Sequence, residues 1–502
     1  METAKPAQTV KLQATAAEFL AYVKSGHSLY WLKTTDETAA KDCLAPVIDL
    51  ICEGEEKNGG FAVVSSAEAA HQTADFEKIL ERAVKQRAFS VIMVADAHLL
   101  FKSDAFMARR IKDMQGFLKT KNIYLVFVSP TSQAPLELER EIHYLELPLP
   151  SFNEIYSYFE AYGFWRKSEL SYKAATVCRG LTMREIKKAA ARAKIAYAST
   201  QDENDAMNSL VQEKKSALKR SRGLDVVDQI PTMDEVGGMA EVKNWLSARR
   251  YAFSPKAQKF GLPLPKGLLL LGVQGCGKSM FSKASASIFN FPLVRLDVGS
   301  LFVSDLPADE LLRRALDTCD NLSPAVLWLD EIEKGFAGSQ GQDFGATRLL
   351  GYFLSWLQER TSQVFVVATA NNIDLLPPEF VRKGRFDEIF FVDLPTENER
   401  REIFKVHLKK RKRNPDNMNL DKAVEITRNF SGAEIEQVIV SALFRAYSAS
   451  RDVTAEDVFR EAELMIPLYK TQEESIKKLR EWAANRARPA SSDSSLLKYF
   501  KG

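Results

Sequence analysis

Long apolar runs are missing from this chain. No stretch approaches the roughly 20 residues that cross a bilayer, which excludes a membrane-spanning helix. Cysteine and histidine are scarce, five of each among 502 residues. Cys43, Cys52, Cys178, Cys276 and Cys319 are scattered without metal-ligand spacing and no histidines cluster near them, which speaks against a zinc site and against a disulfide framework. A reducing compartment is expected. Charge of one sign is also lacking: a formal net charge of +3 gives no case for bulk nucleic-acid affinity. The opening residues Met1 to Pro6 contain no apolar core of the kind a secretory signal requires, so a cytoplasmic location is expected. What remains, 45% hydrophobic and 27% charged, is the composition of a globular chain long enough for two or three domains.

The strongest positive signal is Gly272-Val273-Gln274-Gly275-Cys276-Gly277-Lys278-Ser279, behind the apolar run Gly267 to Leu271 and ahead of a helical pattern beginning near Met280. Glycines let the backbone curl so that successive N–H groups and a helix N-terminus point at phosphate oxygens. Lys278 then reaches the β- and γ-phosphates, and the Ser279 hydroxyl ligates Mg²⁺. A second apolar run, Ala325 to Leu329, ends in Asp330-Glu331 about fifty residues on. A buried strand delivering two carboxylates at its end supplies a Mg²⁺ contact (Asp330) and a base to polarise water (Glu331). The cofactors implied are ATP and Mg²⁺.

Apolar and β-branched runs near residues 28–33, 60–65, 90–95, 123–129 and 143–147 alternate with helix-like segments, which predicts a parallel sheet with crossover helices over 1–150. Residues 151–224 read as a helical subdomain and charged linker. A second α/β cycle follows over 225–396, then helices over 397–488 and a Ser-rich tail over 489–502 expected to be disordered. The two halves share turns of phrase: Leu147-Pro148 followed by Glu154-Ile155 parallels Leu394-Pro395 followed by Glu402-Ile403, and Gly180 to Ile186 parallels Phe430 to Ile435. Yet the first half has only Lys33-Thr34-Thr35-Asp36-Glu37 after its first strand, and its third strand ends in Asp96-Ala97-His98. The expected fold is therefore α/β with tandem P-loop NTPase-like modules, the N-terminal one degenerate and the C-terminal one active with a helical lid. An unrelated α/β adaptor is the alternative reading of the first half.

Hydrolysis needs fixed donors for the charge that gathers on the γ-phosphate. The strand Val364 to Thr369 leads into Ala370-Asn371, an amide that could hold the attacking water beside Glu331, although asparagine is also a common turn former. Arg382-Lys383-Gly384-Arg385 offers two guanidiniums, either fingers supplied to a neighbouring subunit or a surface salt-bridge cluster.

This order of parts resembles the AAA+ ATPase superfamily, specifically its AAA clade, over roughly residues 225 to 450. The resemblance implies that Asn371 is the first sensor, that Arg382 and Arg385 act in trans, and that Gly432-Ala433 stands at the second sensor position of the lid. It also implies that Asp234, Val236 and Gly237 belong to a segment against the adenine, completing a nucleotide set with Gly272, Gly275, Cys276, Gly277, Lys278, Ser279 and Met280. A homo-oligomer, by analogy a hexamer, and an unknown protein partner to be remodelled follow from it. Gly261 to Ser279, Val294 to Phe302, Val364 to Leu408 and Ile466 to Pro489 further resemble the divergent AAA family named for the hypothetical chloroplast reading frame. The Ala- and Arg-rich helices suggest a bacterial or phage source rather than an AT-rich plastid genome; a plastid-encoded chain would sit in the stroma.

One departure stands out. Asp305-Leu306-Pro307 occupies the place of the aromatic pore loop, which argues against threading of an extended polypeptide and for an ATP-dependent assembly switch as an alternative function. Cys276 stands where threonine is common and reads as a small filler, with an activated thiol as the other possibility. The run Lys409 to Arg413 suits a helix C-terminus, and a nucleic-acid-associated ATPase is the remaining alternative.

Overall fold

The computed structural model describes residues 14–34, 36–52, 59–66, 89–103, 106–130, 134–163, 168–219, 223–303, 307–336 and 344–492. The chain divides into two compact units, one of residues 1–151 and 182–188, the other of 152–181 and 189–502. Among the described residues no helix is long and apolar enough to cross a membrane.

In the first unit, five parallel strands lie in the order β2-β3-β4-β1-β5: β1 (Leu29–Lys33), β2 (Gly59–Ser65), β3 (Phe89–Ala95), β4 (Ile123–Ser129) and β5 (His143–Glu146). Successive side chains of a strand point to opposite faces. Accordingly Leu29 and Trp31 pack in one apolar cluster with Phe127 and Leu100, while Tyr30 and Leu32 pack in another with Phe19 and Leu44. Helices α1 (Ala14–Lys24) and α2 (Glu37–Cys52) cover the second face, and α3 (Ala97–Ser103), α4 (Met107–Asp113) and α5 (Gln115–Thr120) the first.

Helices α6 (Phe152–Tyr162), α7 (Ser168–Cys178), α8 (Met183–Thr200) and α9 (Glu203–Lys219) follow. The last of these, α9, is a continuous helix up to Lys219, the point after which the sequence suggested a charged linker. Its Lys214 and Lys215 are buried, and Lys215 and Lys219 reach Asp228 at 3.5 and 2.8 Å. Residues 152–181 also join the second unit: Gly180 takes a positive φ of 82°, and a Cβ there would meet the Asn321 carbonyl at 1.7 Å.

The second sheet runs β12-β11-β7-β10-β9-β8-β6, from β6 (Leu224–Val227), β7 (Gly267–Gly272), β8 (Leu293–Leu296), β9 (Ala325–Leu329), β10 (Val364–Ala370), β11 (Glu388–Val392) and β12 (Arg488–Pro489). All pairs are parallel except β6 with β8. The inner order β11-β7-β10-β9-β8 repeats the β5-β1-β4-β3-β2 order of the first unit. Strands β7, β9 and β10 are buried along their whole length, as unbroken apolar runs in a sheet covered on both faces must be. Flanking helices are α10 (Ala240–Ala248), α11 (Pro255–Lys259), α12 (Lys278–Phe289), α13 (Ala308–Asn321), α14 (Ile332–Gly335) and α15 (Phe344–Glu359).

Helices α16 (Glu397–Lys410), α17 (Asp421–Ile426), α18 (Gly432–Ser448) and α19 (Ala455–Leu464) gather around a core of their own that includes Phe404, Val424, Ile439 and Val458. The last helix, α20 (Tyr469–Ala484), returns to the sheet: Ile476, Leu479 and Ala483 share a core with Trp245 and Phe390. The disorder expected from Pro489 onward is corrected for the first residues of the tail. β12 pairs with β11, the Ala490 N–H donates to the Phe391 carbonyl at 2.9 Å, and Ala490 and Ser491 are buried. The sequence Leu496 to Phe500 lies outside the described residues.

Candidate active site

Strand β7 ends in the loop that the sequence singles out. Gly272 is required there because a Cβ would stand 2.0 Å from the Val392 carbonyl oxygen. Gly277 caps α12 with a φ of 83°, a left-handed conformation that an ordinary side chain resists. Lys278, the first residue of α12, is buried, and its ammonium donates to the carbonyls of Gly272 at 2.8 Å and Val273 at 2.7 Å. Burial pushes its pKa down to about 8, against the pull of Cys276, Glu333, Asp330 and Glu331. The lysine is thus folded onto its own loop, holding carbonyls that a phosphate oxygen would replace. Burial also pushes the Cys276 thiol up to about 12, away from an activated thiol and in keeping with a small filler. Met280 is half-buried against the main core.

Strand β9 brings two carboxylates, Asp330 and Glu331, to this loop. The Ser279 hydroxyl donates to Asp330 Oδ1 at 2.9 Å, and the Thr369 hydroxyl donates to the same oxygen at 2.7 Å. Thr369 accepts in turn from the Glu331 N–H at 2.9 Å, which pins Glu331 in a left-handed conformation of φ 50°. Asn371, at the end of β10, donates from Nδ2 to Glu331 Oε1 at 2.7 Å, while Lys334 reaches Glu331 Oε2 at 2.5 Å. Adjacent pairing of β9 with β10 creates this arrangement, because it places the ends of both strands side by side.

Two residues here were not singled out from the sequence. Thr369 has a signal in hindsight, a hydroxyl two residues before Asn371. Glu333 is buried, and its Oε1 accepts from the Asn371 N–H at 2.9 Å while Oε2 has no partner. Burial raises its pKa, against the backbone N–H groups of Asn371 and Asn372.

The donor set suits a hard divalent cation. Ser279 and Asp330 offer oxygen donors already in contact, and among the described residues no three His, Cys, Asp or Glu side chains converge. Mg²⁺ ordinarily takes few protein ligands and completes its shell with water and substrate phosphates.

Beside the loop lies a cavity lined by Gly237, Met239, Cys276, Val392, Gly432, Glu399, Ile403 and Ser491 among others. Gly432 and Ala433 come to the loop directly, the Ala433 N–H donating to the Gly275 carbonyl at 2.9 Å. Of the three residues expected against a base, Gly237 lines this wall. Asp234 is exposed on a one-turn helix, and the Val236 side chain is buried in the core with its carbonyl held by Lys243, so neither is brought to the wall.

Arg382 is exposed, and Arg385 is half-buried with its guanidinium donating to the Glu379 carbonyl. Neither is among the hydrogen-bond partners of Lys278, Glu331 or Asn371. In the basic run, Lys409 and Lys410 lie in the last turn of α16, while Arg411 pairs with Glu436 at 2.9 Å and Arg413 with Asp452 at 2.6 Å. Asp305 and Leu306 fall outside the described residues, and Pro307 caps α13.

The first unit shows what the same places hold without this constellation. Asp36 is buried, and its Oδ1 accepts from the Ala39 N–H at 3.0 Å at the start of α2, so a carboxylate of the chain occupies a helix N-terminus that a phosphate would need. Asp96 precedes α3 with a φ of 51°, as Glu331 precedes α14 with a φ of 50°. A carboxylate therefore does stand where the sequence suggested no base, whereas Ala95 stands in the position of Asp330.

The strand order and the loop define the second unit as an ATPase module of the AAA class. The family described as ATPase family associated with various cellular activities (AAA) matches residues 268–394, and the one described as SpoVK-like AAA ATPase, N-terminal domain, matches residues 15–147. The uncharacterized AAA domain-containing protein ycf46 of Trieres chinensis is 38% identical over 401 residues, 78% of this chain and 80% of the relative. That of Guillardia theta is 36% identical over 402 residues, 78% and 79%. The chain belongs to this ycf46 family of AAA proteins. A proteasome-activating nucleotidase of Saccharolobus solfataricus is 33% identical over 234 residues, 45% of this chain and 58% of the relative. The bacterial or phage source suggested by composition finds no support in these relatives.

Proposed function

We propose that the second unit binds and hydrolyses Mg-ATP and that the chain works as an oligomer, by analogy a hexamer, to remodel a protein partner bound through the first unit. The observation that carries this reading is the hydrogen-bonded row Ser279, Asp330, Thr369, Glu331 and Asn371 beside the lysine-bearing loop. On binding, Lys278 leaves the carbonyls of Gly272 and Val273 for the β- and γ-phosphates. Ser279, with Asp330 behind it, would hold Mg²⁺, which supplies charge neutralisation on the phosphate oxygens. Asn371 holds one oxygen of Glu331 and orients the other side of the carboxylate toward water. Water attacks the γ-phosphorus, its proton passes to Glu331, and the bond to the β-phosphate oxygen breaks to leave ADP and phosphate. Lys334 must release Glu331 for that proton to be taken.

Arg382 and Arg385 are free of the chain's own site and suit a neighbour's γ-phosphate. The first unit we read as a degenerate copy kept for partner binding, supported by its shared strand order, by Asp36 at the helix N-terminus, and by Ala95 in place of the metal-site aspartate. A location in the cytoplasm, or in the stroma of a plastid, fits a chain with no described spanning helix. The ion pairs of Arg411 and Arg413 occupy two of the five cations of the basic run, which weakens the case for nucleic acid. A nucleotide-dependent assembly switch is favoured as second reading by Asp305-Leu306-Pro307 in the pore position.

The test is ATPase rate against protein concentration for the intact chain and Arg385→Ala. A specific activity that climbs with concentration, and falls at least 100-fold in the variant while ATP still binds, is expected. A rate per chain that stays constant on dilution would overturn the shared site.

A further inference from the structure

The end of the chain is built into the wall of the nucleotide cavity. α20 is fastened to the sheet by Arg480, which grips Asp393 with two bonds of 2.8 and 2.9 Å, and Asp393 itself lines the cavity. β12 then adds a strand beside β11, the Glu241 N–H donates to the Ala490 carbonyl at 3.0 Å, and Arg488 pairs with Glu241 at 2.8 Å. These contacts deliver Ser491, buried, to the lining of the cavity, which also includes Cys276 of the phosphate loop.

The polarity of Ser491 is set by what holds it. Its hydroxyl donates to Glu399 Oε1 at 2.5 Å. The same carboxylate accepts from the Met239 N–H at 3.0 Å and, at Oε2, from the Thr396 N–H at 3.0 Å. A serine hydroxyl has one proton and two lone pairs. With the proton committed to a carboxylate, the Ser491 oxygen can only accept from a ligand in the cavity that the residue lines. A base bearing an amino group at this edge gains a hydrogen bond, whereas a base bearing a carbonyl sets two lone pairs against each other. A site that meets a polar group with the wrong polarity leaves buried groups unpaired, which is where strong discrimination arises.

We propose that Ser491, carried by the C-terminal strap and oriented by Glu399, selects the six-amino group of adenine over the six-carbonyl of hypoxanthine and guanine. This deepens the reading of the second unit as a nucleotide site and rests on it. The contact belongs to base recognition, distinct from the phosphate loop, and it makes the chain's end part of the site.

Calorimetric titration of the full chain and of Ser491→Ala with ATP, inosine triphosphate and inorganic tripolyphosphate, each with Mg²⁺, tests it. The intact chain should bind ATP at least tenfold more tightly than inosine triphosphate. Ser491→Ala should lose that ratio, weakening ATP five- to tenfold and leaving inosine triphosphate and tripolyphosphate within twofold. Tripolyphosphate reports the phosphate loop and so the integrity of the variant. An unchanged ATP to inosine ratio in Ser491→Ala, or none in the intact chain, overturns the proposal. A contact that merely anchors the strap would shift all three ligands together, which also overturns it. Failure of the intact chain to bind either tripolyphosphate or ATP would instead overturn the nucleotide site itself.

Discussion

Raising the pH should weaken ATP binding through a single residue, and the size of the effect follows from where Lys278 sits. Its ammonium is buried against the carbonyls of Gly272 and Val273, and desolvation lowers its pKa from the ordinary 10.5 to about 8. In the complex, phosphate oxygens keep the lysine charged through the range considered. The dissociation constant should then follow a factor of one plus ten raised to the excess of pH over 8. Binding is nearly flat below pH 7 and weakens about tenfold between pH 7 and 9, about 1.4 kcal/mol. At pH 8 each ATP bound should draw up about half a proton, measurable as the dependence of binding heat on the ionisation enthalpy of the buffer. The sign reverses for the unliganded fold. The unfolded lysine binds its proton up to about 10.5, so the unfolded state holds more protons between about 8 and 10.5, and stability rises with pH through that window. An ATP affinity unchanged from pH 7 to 9, with no proton taken up at pH 8, would refute the argument, because an exposed or already charged lysine would behave in that way.

Two further outcomes are expected. Asn371→Ala removes the 2.7 Å bond to Glu331 and should lower kcat by about 10²-fold, roughly the worth of one positioned donor; ATP affinity should move less than threefold, and a loss confined to affinity would exclude the role given to the residue. Arg480→Met leaves the almost fully buried Asp393 carboxylate without its partner and should cost about 3 kcal/mol in urea unfolding followed by tryptophan fluorescence; a change below about 0.5 kcal/mol would show that α20 is not fastened by this pair.

Much of the site was legible in the sequence because its chemistry is local. Gly272 to Ser279 works through consecutive backbone groups and a helix start, so residue type and spacing carry the information, and the structure places Lys278 and Ser279 where that spacing requires. Asp330 and Glu331 were legible for the same reason, at the end of an apolar run that had to be a buried strand. Asn371 was legible only in combination, since its value depends on β10 lying next to β9. Glu333 was not legible, because an acidic residue in a short helix gives no sign of being buried until the neighbouring strand is seen to donate to it. Asp234 and Val236 were named for their place in sequence beside Gly237; a one-turn helix exposes the side chain of the first and the core takes that of the second.

The end of the chain shows the limit most clearly. Serine-rich composition after Pro489 argued for fraying, since a polar segment cannot fold on its own burial. The structure instead supplies a ready-made strand edge at β11, whose carbonyl at Phe391 and whose neighbours Glu241 and Glu399 satisfy the segment as it arrives. Sequence by itself determined the two α/β cycles, the phosphate loop, the paired carboxylates and the helices that follow, all set by periodicities and spacings within a few turns of the chain. Tertiary structure alone decided which strand ends meet, which carboxylates are buried, and that residues 241, 399 and 491 share one corner, because contacts between segments far apart in sequence depend on packing that no local pattern encodes.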